Sequence, residues 1–534
     1  MNRVLVANRG EIALRVFRAC KAEGVETVAV VAPDDRGSLH ARSADATVEI
    51  ASYLDAAEHV RAAREAGADA VHPGYGFLAE SAELAEAVLA AGLTWIGPPP
   101  AALRAGGDKL AAKETARAAG VPLLPTGSAD EIGFPLLVKA AAGGGGRGMR
   151  IVRSAAGLED AVAAARREAK AAFGDDTVYF ERYLERPRHV EIQLLADRHG
   201  TVVALGERDC SVQRRHQKVL EESPSPAVGP ELRAAMSDAA IAFARAIGYE
   251  SAGTAEFVLD GGDFFFLELN ARIQVEHPVT ELVTGVDLVR EQLRVARGES
   301  LSPQVTDCYL CGFAVEVRLY AEDPRTFLPQ AGRIERLRLP DSVRVDAGVA
   351  EGDEIGTSYD PMIAKLVAHA DTRAEALDRL ATALRETEVD GLTTNLPFLR
   401  WLVAHPVVRA GRATTAFLIE YPPLSAPPKP VRRPWARTWR LNLPPPPPAP
   451  PPRAERAEHT AAEQSTVTAP MPGTVLRVLV QPGMEVAARQ PLVVLEAMKM
   501  ETPLVSPYDA TVRSVHVAEG DRVAGGAVLV ELEE

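Results

Sequence analysis

The sequence predicts a multidomain protein in which an α/β region and an α+β region are followed, across a proline-rich connection, by a small all-β region. Three observations predict this. Residues 1 to about 105 alternate short apolar runs with helical stretches, as βαβ units feeding a parallel sheet do. From Pro422 to about Gln464 proline dominates, Pro444 to Pro448 is unbroken, and apolar periodicity stops. Beyond it lies an internal repeat: Thr474-Val475, Val478, Val480, Gly483, Val486, Leu492, Val493 and Leu495 recur 37 positions later as Thr511-Val512, Val515, Val517, Gly520, Val523, Leu529, Val530 and Leu532. Two similar halves imply a pseudo-twofold β-sandwich.

A chain of 534 residues exceeds a single core and implies three or four domains. Its 47% hydrophobic and 25% charged content is that of a soluble globular protein, and a net charge of −14 argues against nucleic-acid binding by bulk electrostatics. The first apolar run, Val4 to Ala7, is broken at Asn8-Arg9, and no run approaches the roughly 18 residues of a membrane span, so a cytoplasmic protein without a signal peptide is expected. Cys20, Cys210, Cys308 and Cys311 suit a reducing compartment. Cys308 and Cys311 form a C-x-x-C with no second pair to complete a zinc site and are expected to be structural. Only nine lysines occur, so each one inside a motif carries information. Lys109, Lys139, Lys218 and Lys499 are of that kind.

In chain order, Val4–Ala7 and Val28–Ala32 are expected strands, Glu11–Glu23 and Ala56–Glu65 helices, and Ala70-Val71 a further strand. The turn Asn8-Arg9-Gly10 precedes a helix, and His72-Pro73-Gly74-Tyr75-Gly76-Phe77 is a glycine-punctuated loop suited to the border of a site. From about 110 to 185 a smaller unit centres on Leu137-Val138-Lys139-Ala140 followed by the glycine run 143–148 and Arg150-Ile151-Val152. Gly143, Gly145 and Gly148 satisfy G-x-G-x-x-G, but a strand follows where a dinucleotide fold needs a helix. Strand, glycine loop, strand is instead a lid that lays backbone N–H groups over phosphates, with Lys139 beside it as a point charge. Pro187 to Gln193 alternates, and Gln213-Arg214-Arg215-His216-Gln217-Lys218 is a basic cluster suited to an anion.

The chemistry concentrates between Ala255 and Pro278. Ala255–Leu259 and Phe264–Glu268 flank Asp260-Gly261-Gly262-Asp263, a hairpin that sets Glu256 opposite Glu268. Facing carboxylates repel, and a cation such as Mg²⁺, which takes carboxylate and phosphate oxygens, suits the space between them. Leu267 to Glu276 alternates strictly, so an extended chain projects Glu268, Asn270, Arg272, Gln274 and Glu276 from one face. A turn after Asn270 would rotate the last three but keep them in the same cleft. Further on, Ala314 to Tyr320 alternates and presents Glu316 with Arg318. Tyr359 to Leu366 precedes a helix opened by the Thr372-x-x-Glu375 capping box. The proline segment of about 43 residues spans on the order of 140 Å when drawn out. Between the two halves of the repeat stands Glu496-Ala497-Met498-Lys499-Met500, one lysine bracketed by methionines at a hairpin tip, the form of an address for a modifying enzyme.

Together these segments resemble the biotin carboxylase family of ATP-grasp enzymes joined to a biotin carboxyl carrier domain. The resemblance runs over 1–420 and 466–534, through ANRGEIALR at 7–15, HPGYGFLAE at 72–80, the glycine loop at 143–148, RHVEIQ at 188–193, ERDCSVQRRHQK at 207–218, ELNARIQVEHP at 268–278 and EAMKM at 496–500. It implies an N-terminal pre-ATP-grasp α/β domain at 1–110, an ATP-grasp domain at 111–310 with its lid at about 111–185, and a C-terminal carboxylase domain at 311–421. A linker at 422–465 and a biotinyl/lipoyl-type carrier sandwich at 466–534 follow. It also implies roles. Lys109, Lys139, Gly145, Gly146, Glu181, Leu184, His189 and His216 would hold ATP, together with Glu256 and Glu268, which with Asn270 would bind Mg²⁺ or Mn²⁺. Lys218, Arg272 and the backbone of Val275 would hold bicarbonate, Glu276 would deprotonate it, and Arg318 would stabilise the enolate of biotin carried on Lys499.

The implied partners are a separate carboxyltransferase β subunit, biotin protein ligase and further copies of the same chain, with no nucleic acid and no membrane. The nearest whole-chain resemblance is to acyl-CoA carboxylase α chains of the acetyl-/propionyl-CoA type; a pyruvate or methylcrotonyl-CoA carboxylase subunit, or a non-catalytic carrier, is the alternative. Ala142 shortens a five-glycine run to four, Gly106 lacks the common preceding methionine, and Ser81 replaces a common asparagine. The segment 422–465 is too short and proline-rich for a folded partner-docking domain.

Overall fold

A computed structural model describes residues 1–141, 149–214, 217–425, 466–469, 473–497, 500–523 and 526–533. The N-terminal region is a five-stranded parallel sheet of β1 (Arg3–Val6), β2 (Glu26–Val31), β3 (Ala46–Glu49), β4 (Ala70–His72) and β5 (Thr94–Trp95) in the order β3-β2-β1-β4-β5. Val4, Leu5 and Val6 are all buried, which explains why β1 is a continuous apolar run rather than an alternating one: a parallel strand is covered on both faces. The turns after β1 and β4 are tied together by Asn8, whose amide donates to the carbonyls of Pro73 at 2.8 Å and Tyr75 at 2.7 Å. Gly74 lies at φ +64°, and a Cβ there would come within 2.9 Å of the Asn8 amide nitrogen. Glycine is required at that crossing.

Residues 126–182 form a separate four-stranded sheet of β6 (Thr126–Gly127), β7 (Leu136–Ala140), β8 (Arg150–Val152) and β9 (Val178–Arg182), ordered β6-β9-β7-β8. Ile132, Leu136, Val138, Val152 and Ala165 give it a small core of its own. β7 and β8 pair antiparallel from Leu136↔Val152 to Val138↔Arg150, the strand–loop–strand arrangement expected around the glycine run. The run itself, with Ala142, Gly145 and Gly146, lies outside the described residues, as do His216 and Lys499.

The centre of the molecule is one eight-stranded antiparallel sheet. It contains β10 (Arg188–Ala196), β11 (Val202–Arg214), β12 (Gln217–Ser223), β13 (Ser251–Asp260), β14 (Asp263–Asn270) and β15 (Phe313–Tyr320), ordered β14-β13-β10-β11-β12-β15 and continued by Met362–Ala370 and Arg344–Ala347. The pairing Leu220↔Val317, Glu221↔Glu316, Glu222↔Val315 carries this sheet across the division expected near residue 310. The two sides therefore share a backbone ladder. Each half buries a large aliphatic and aromatic cluster, one including Phe243, Phe257 and Phe266, the other Phe327, Phe398 and Phe417.

The C-terminal region is two four-stranded sheets. Leu492, Val493 and Leu495 of the first half of the repeat and Leu529, Val530 and Leu532 of the second are all buried in one core, so the repeat is a packing repeat. Pro491–Ala497 pairs with Met500–Val505 up to Ala497↔Met500. The four cysteines carry free thiols, and among the described residues no helix is long and apolar enough to cross a membrane.

Phe266 is 1% exposed, its ring centroid 4.7 Å from Phe243 and 5.8 Å from Phe257. Phe266→Ala is expected to cost about 3–5 kcal/mol through the cavity it leaves. The check is a lowered urea midpoint at unchanged slope in the transition followed by far-UV circular dichroism.

Candidate active site

The hairpin forms as its sequence demands: β13 and β14 pair with Glu256 directly opposite Glu268 and Thr254 opposite Asn270. β14 then ends at Asn270. The fully extended reading of Leu267–Glu276 is corrected, and the turn after Asn270 is what occurs. Arg272 explains the break, since its guanidinium donates to Asn270 Oδ1 at 3.0 Å, Gln274 Oε1 at 2.8 Å and the carbonyl of Ile273 at 3.2 Å, drawing the chain into a loop. Pro278 then opens the helix His277–Thr284, with Glu276 at its N-cap. A carboxylate is favoured there by the helix dipole.

Lys218, near the start of β12, projects into the space between these elements. Its ammonium donates to Glu256 Oε1 at 2.8 Å, to Glu276 Oε1 at 2.6 Å and to Glu191 Oε2. His189 Nε2 lies 3.0 Å from the other oxygen of Glu256. Arg208 has no exposed side-chain surface and donates to Glu191 at 2.6 Å, Gln193 at 2.6 Å and Thr280 at 2.9 Å. Arg318 on β15 closes the group, reaching Glu276 Oε2 at 2.9 Å and Glu221 Oε1 at 2.6 Å. Lys365 supports it from behind, donating to the carbonyl of Val275 at 2.8 Å while pairing with Glu11 Oε1 at 3.0 Å. Tyr75 in the loop after β4 donates to the same oxygen of Glu11.

Burial alone would push the Glu276 carboxyl up, but Lys218, Arg318 and Arg208 together hold it well below the usual carboxylate range. Glu256 is lowered in the same way, against burial, by Lys218 and His189. Burial works against charge on His189, and Glu256 outweighs it, so this imidazole is raised. Arg318 is raised, with Glu221, Tyr320 and Glu276 overcoming its desolvation. The pocket is ionised, with cations and carboxylates interleaved.

On the lid side, Lys139 on β7 pairs with Glu181 Oε2 at 3.0 Å, and Lys113 reaches the other oxygen of Glu181. Lys139 is raised in pKa, with Glu181 and Tyr179 outweighing its burial. Lys109 begins the helix Lys109–Ala118, and Leu184 follows β9. Of the expected site residues, Lys218, Glu256, Asn270, Arg272, Val275, Glu276 and Arg318 converge on one cluster, with Glu268 across the hairpin and Lys139 and Glu181 beyond it.

Glu256, Glu268 and Asn270 offer oxygen donors, a hard set that suits Mg²⁺ or Mn²⁺, with Asn270 Oδ1 accepting here from Arg272 at 3.0 Å. A second candidate grouping, Glu191, Cys210 and Glu276, brings its ligand atoms within 4.8 Å of one another. Lys218 already holds two of its three members. Sequence reading missed Glu191, Arg208, Glu221, Lys365, Lys113 and Glu80, the last 3.3 Å from Arg272. Glu191 had a signal: it stands two positions from His189 on the same face of an alternating strand.

Comparison with known proteins matches four stretches of the chain to known families. Residues 1–103 match the family "Biotin carboxylase, N-terminal domain", 117–304 match "Carbamoyl-phosphate synthase L chain, ATP binding domain", 316–420 match "Biotin carboxylase C-terminal domain" and 465–532 match "Biotin-requiring enzyme". A biotin carboxylase of Haemophilus influenzae is 49% identical over 74% of this chain and 93% of its own length. The propionyl-CoA carboxylase alpha chain of Ruegeria pomeroyi is 46% identical over 79% of this chain and 68% of its own. The mitochondrial methylcrotonoyl-CoA carboxylase subunit alpha of Oryza sativa is 48% identical over 79% of this chain, which spans only 60% of that relative. Among solved structures, the biotin carboxylase domain of a Hydrogenobacter thermophilus 2-oxoglutarate carboxylase, in complex with MgADP, ADP and bicarbonate, superposes with a TM-score of 0.76. It is 43% identical and covers 79% of this chain and 98% of that one.

Lys218 sets the sign of the pH response. With Glu256 and Glu276 depressed, their contribution to stability is present above the unfolded carboxylate pKa of about 4.3 and is lost as pH falls through the folded values. Lys218→Met removes the largest opposing charge from both carboxyls, so their folded pKa values rise and less of that contribution remains. The Tm deficit of Lys218→Met relative to wild type is expected to be larger at about pH 7 than at about pH 3.5. Equal deficits in calorimetry at the two pH values would contradict this account.

Proposed function

The chain belongs to the biotin carboxylase family, and from that premise we propose that it carboxylates biotin held on Lys499, using ATP and bicarbonate, as the α subunit of an acetyl-/propionyl-CoA type carboxylase. One observation carries this: Lys218 is shared by Glu256 and Glu276, Arg318 takes the other oxygen of Glu276, and Glu268 stands opposite Glu256 on the hairpin. Nucleotide, bicarbonate and the visiting biotin would share that pocket.

Bicarbonate is a poor nucleophile until its proton leaves, so a carboxylate must stand within hydrogen-bond reach beside cations that hold the anion. Glu276 would take the proton, with Lys218 and Arg272 fixing the substrate. The freed oxygen attacks the γ-phosphorus as the bond to ADP breaks, giving carboxyphosphate. The ion pairs that keep Glu276 charged also make it a weak base. An incoming anion takes a share of Lys218 and raises the basicity of Glu276 at the moment it is needed. Lys109, Lys139, Gly145, Gly146, Glu181, Leu184, His189 and His216 would hold ATP. Glu256, Glu268 and Asn270 would hold Mg²⁺ or Mn²⁺, which when bound neutralises phosphate charge. Arg318 would meet negative charge on the biotin ring.

Lys499 would be loaded by biotin protein ligase, and the proline-rich segment would give the carrier its reach. The transfer to acyl-CoA would fall to a separate carboxyltransferase β subunit, which would also set acyl preference. A pyruvate-binding partner in a pull-down, in place of a CoA-binding one, would redirect the reading to pyruvate.

Glu276→Gln is expected to abolish carboxylation of free biotin, by about 10²–10⁴-fold, while the Kd for ATP stays nearly unchanged. Unaltered turnover would remove Glu276 from the chemistry. Coexpression with biotin ligase is expected to add the mass of one biotin to the wild-type chain and none to Lys499→Ala; an intact-mass spectrum in which both gain it, or neither does, would refute the attachment site.

A further inference from the structure

Behind Arg318 the central sheet holds two carboxyl groups that the proposed chemistry does not use. Glu221 on β12 and Glu316 on β15 are directly opposed residues of the antiparallel ladder, so their side chains leave the same face of the sheet. Both are fully buried, neither Glu316 oxygen has a hydrogen-bond partner, and Glu221 Oε2 is also without one. Two ionised carboxylates cannot face each other across a dry strand pair at this spacing. The surrounding charge points the same way. Glu276, Glu221 and Glu316 face Arg318, Lys218 and Lys365, while Lys218 is already shared with Glu191 and Glu256, and Lys365 with Glu11 and, at 3.9 Å, Asp346. The cations that face the pair are thus held by other carboxylates, and the carboxyl without a hydrogen-bond partner, Glu316, is where a proton must reside.

Resting on the function proposed above, we propose that Glu221 and Glu316 share one proton across the β12–β15 ladder and that this pair positions Arg318 between Glu276 and the biotin that visits the pocket. With one proton the pair carries a single negative charge, which anchors one side of the guanidinium and leaves the other for Glu276 and substrate. A second proton would release the anchor. Arg318 would then swing wholly onto Glu276 and be lost to biotin. Burial keeps Glu316 raised well above the usual carboxylate range, with Lys365 only partly opposing it. Burial and Glu276 raise Glu221 to about 7 although Arg318 draws it down. The anchor is thus released as pH falls through neutrality.

Two measurements on the full-length chain test this. Infrared difference spectra of wild type against Glu316→Gln at about pH 8 are expected to show the loss of one protonated-carboxyl C=O band, at a pH where ordinary carboxyls are ionised. A variant lacking no such band would overturn the shared proton. Glu221→Gln is expected to raise KM for free biotin about tenfold and to remove the acid limb near pH 7 from kcat/KM for biotin. KM for ATP is expected to move less than about twofold, a split that general unfolding would not produce. An unchanged biotin KM with the acid limb intact would overturn the positioning role. Absence of any biotin carboxylation by the wild type would instead overturn the function on which it rests.

Discussion

The site is organised by the burial of one ammonium group among three carboxylates. Lys218 is about as deeply enclosed as the core around it, and withdrawing such a charge from water is tolerable only because Glu191, Glu256 and Glu276 converge on it from β10, β13 and the start of a helix. Each of those carboxylates is in turn held by a second cation, Arg208, His189 or Arg318. Removing one member strands the rest. The arrangement therefore specifies the relative placement of five strands and a helix more sharply than apolar packing could, since a methyl group tolerates a shift that a shared proton donor does not.

That network also accounts for the way chemistry is divided along the sheet. Toward β14 the side chains are oxygen donors suited to a metal and phosphates; toward β15 they are cations suited to small anions. The boundary is Lys218 itself. A parallel with the lid is visible in Glu181, which is likewise bracketed by two lysines, Lys113 and Lys139. In both places carboxylate and lysine hold one another ionised in a buried setting.

Much of this was legible in the amino-acid sequence because hairpins and repeats leave local marks. Asp260-Gly261-Gly262-Asp263 between two apolar runs could be little but a turn, and it fixed Glu256 opposite Glu268. The end of β14 was not legible. Alternation continues through Arg272, Gln274 and Glu276, and only the guanidinium's three contacts and the helix beyond it break the strand. Glu191, Arg208 and Glu221 were missed for a different reason: a charge at every second position of a strand looks the same whether that face meets water or another layer of protein. Sheet order decides between the two, and residues 221 and 316 become neighbours only through a pairing that spans most of the molecule.

Lys365 ties the modularity of the chain to its active cleft. It fastens the peptide just before Glu276 to Glu11 in the first helix of the chain, although the lysine itself comes from the strand next to the far edge of the central sheet. The placement of Glu276 is thus set by three stretches of sequence that no single domain boundary encloses. Evolution could append or discard a carrier at the C-terminus freely, but the pieces of the carboxylase could not be shuffled one at a time, because none of them contains its own alignment.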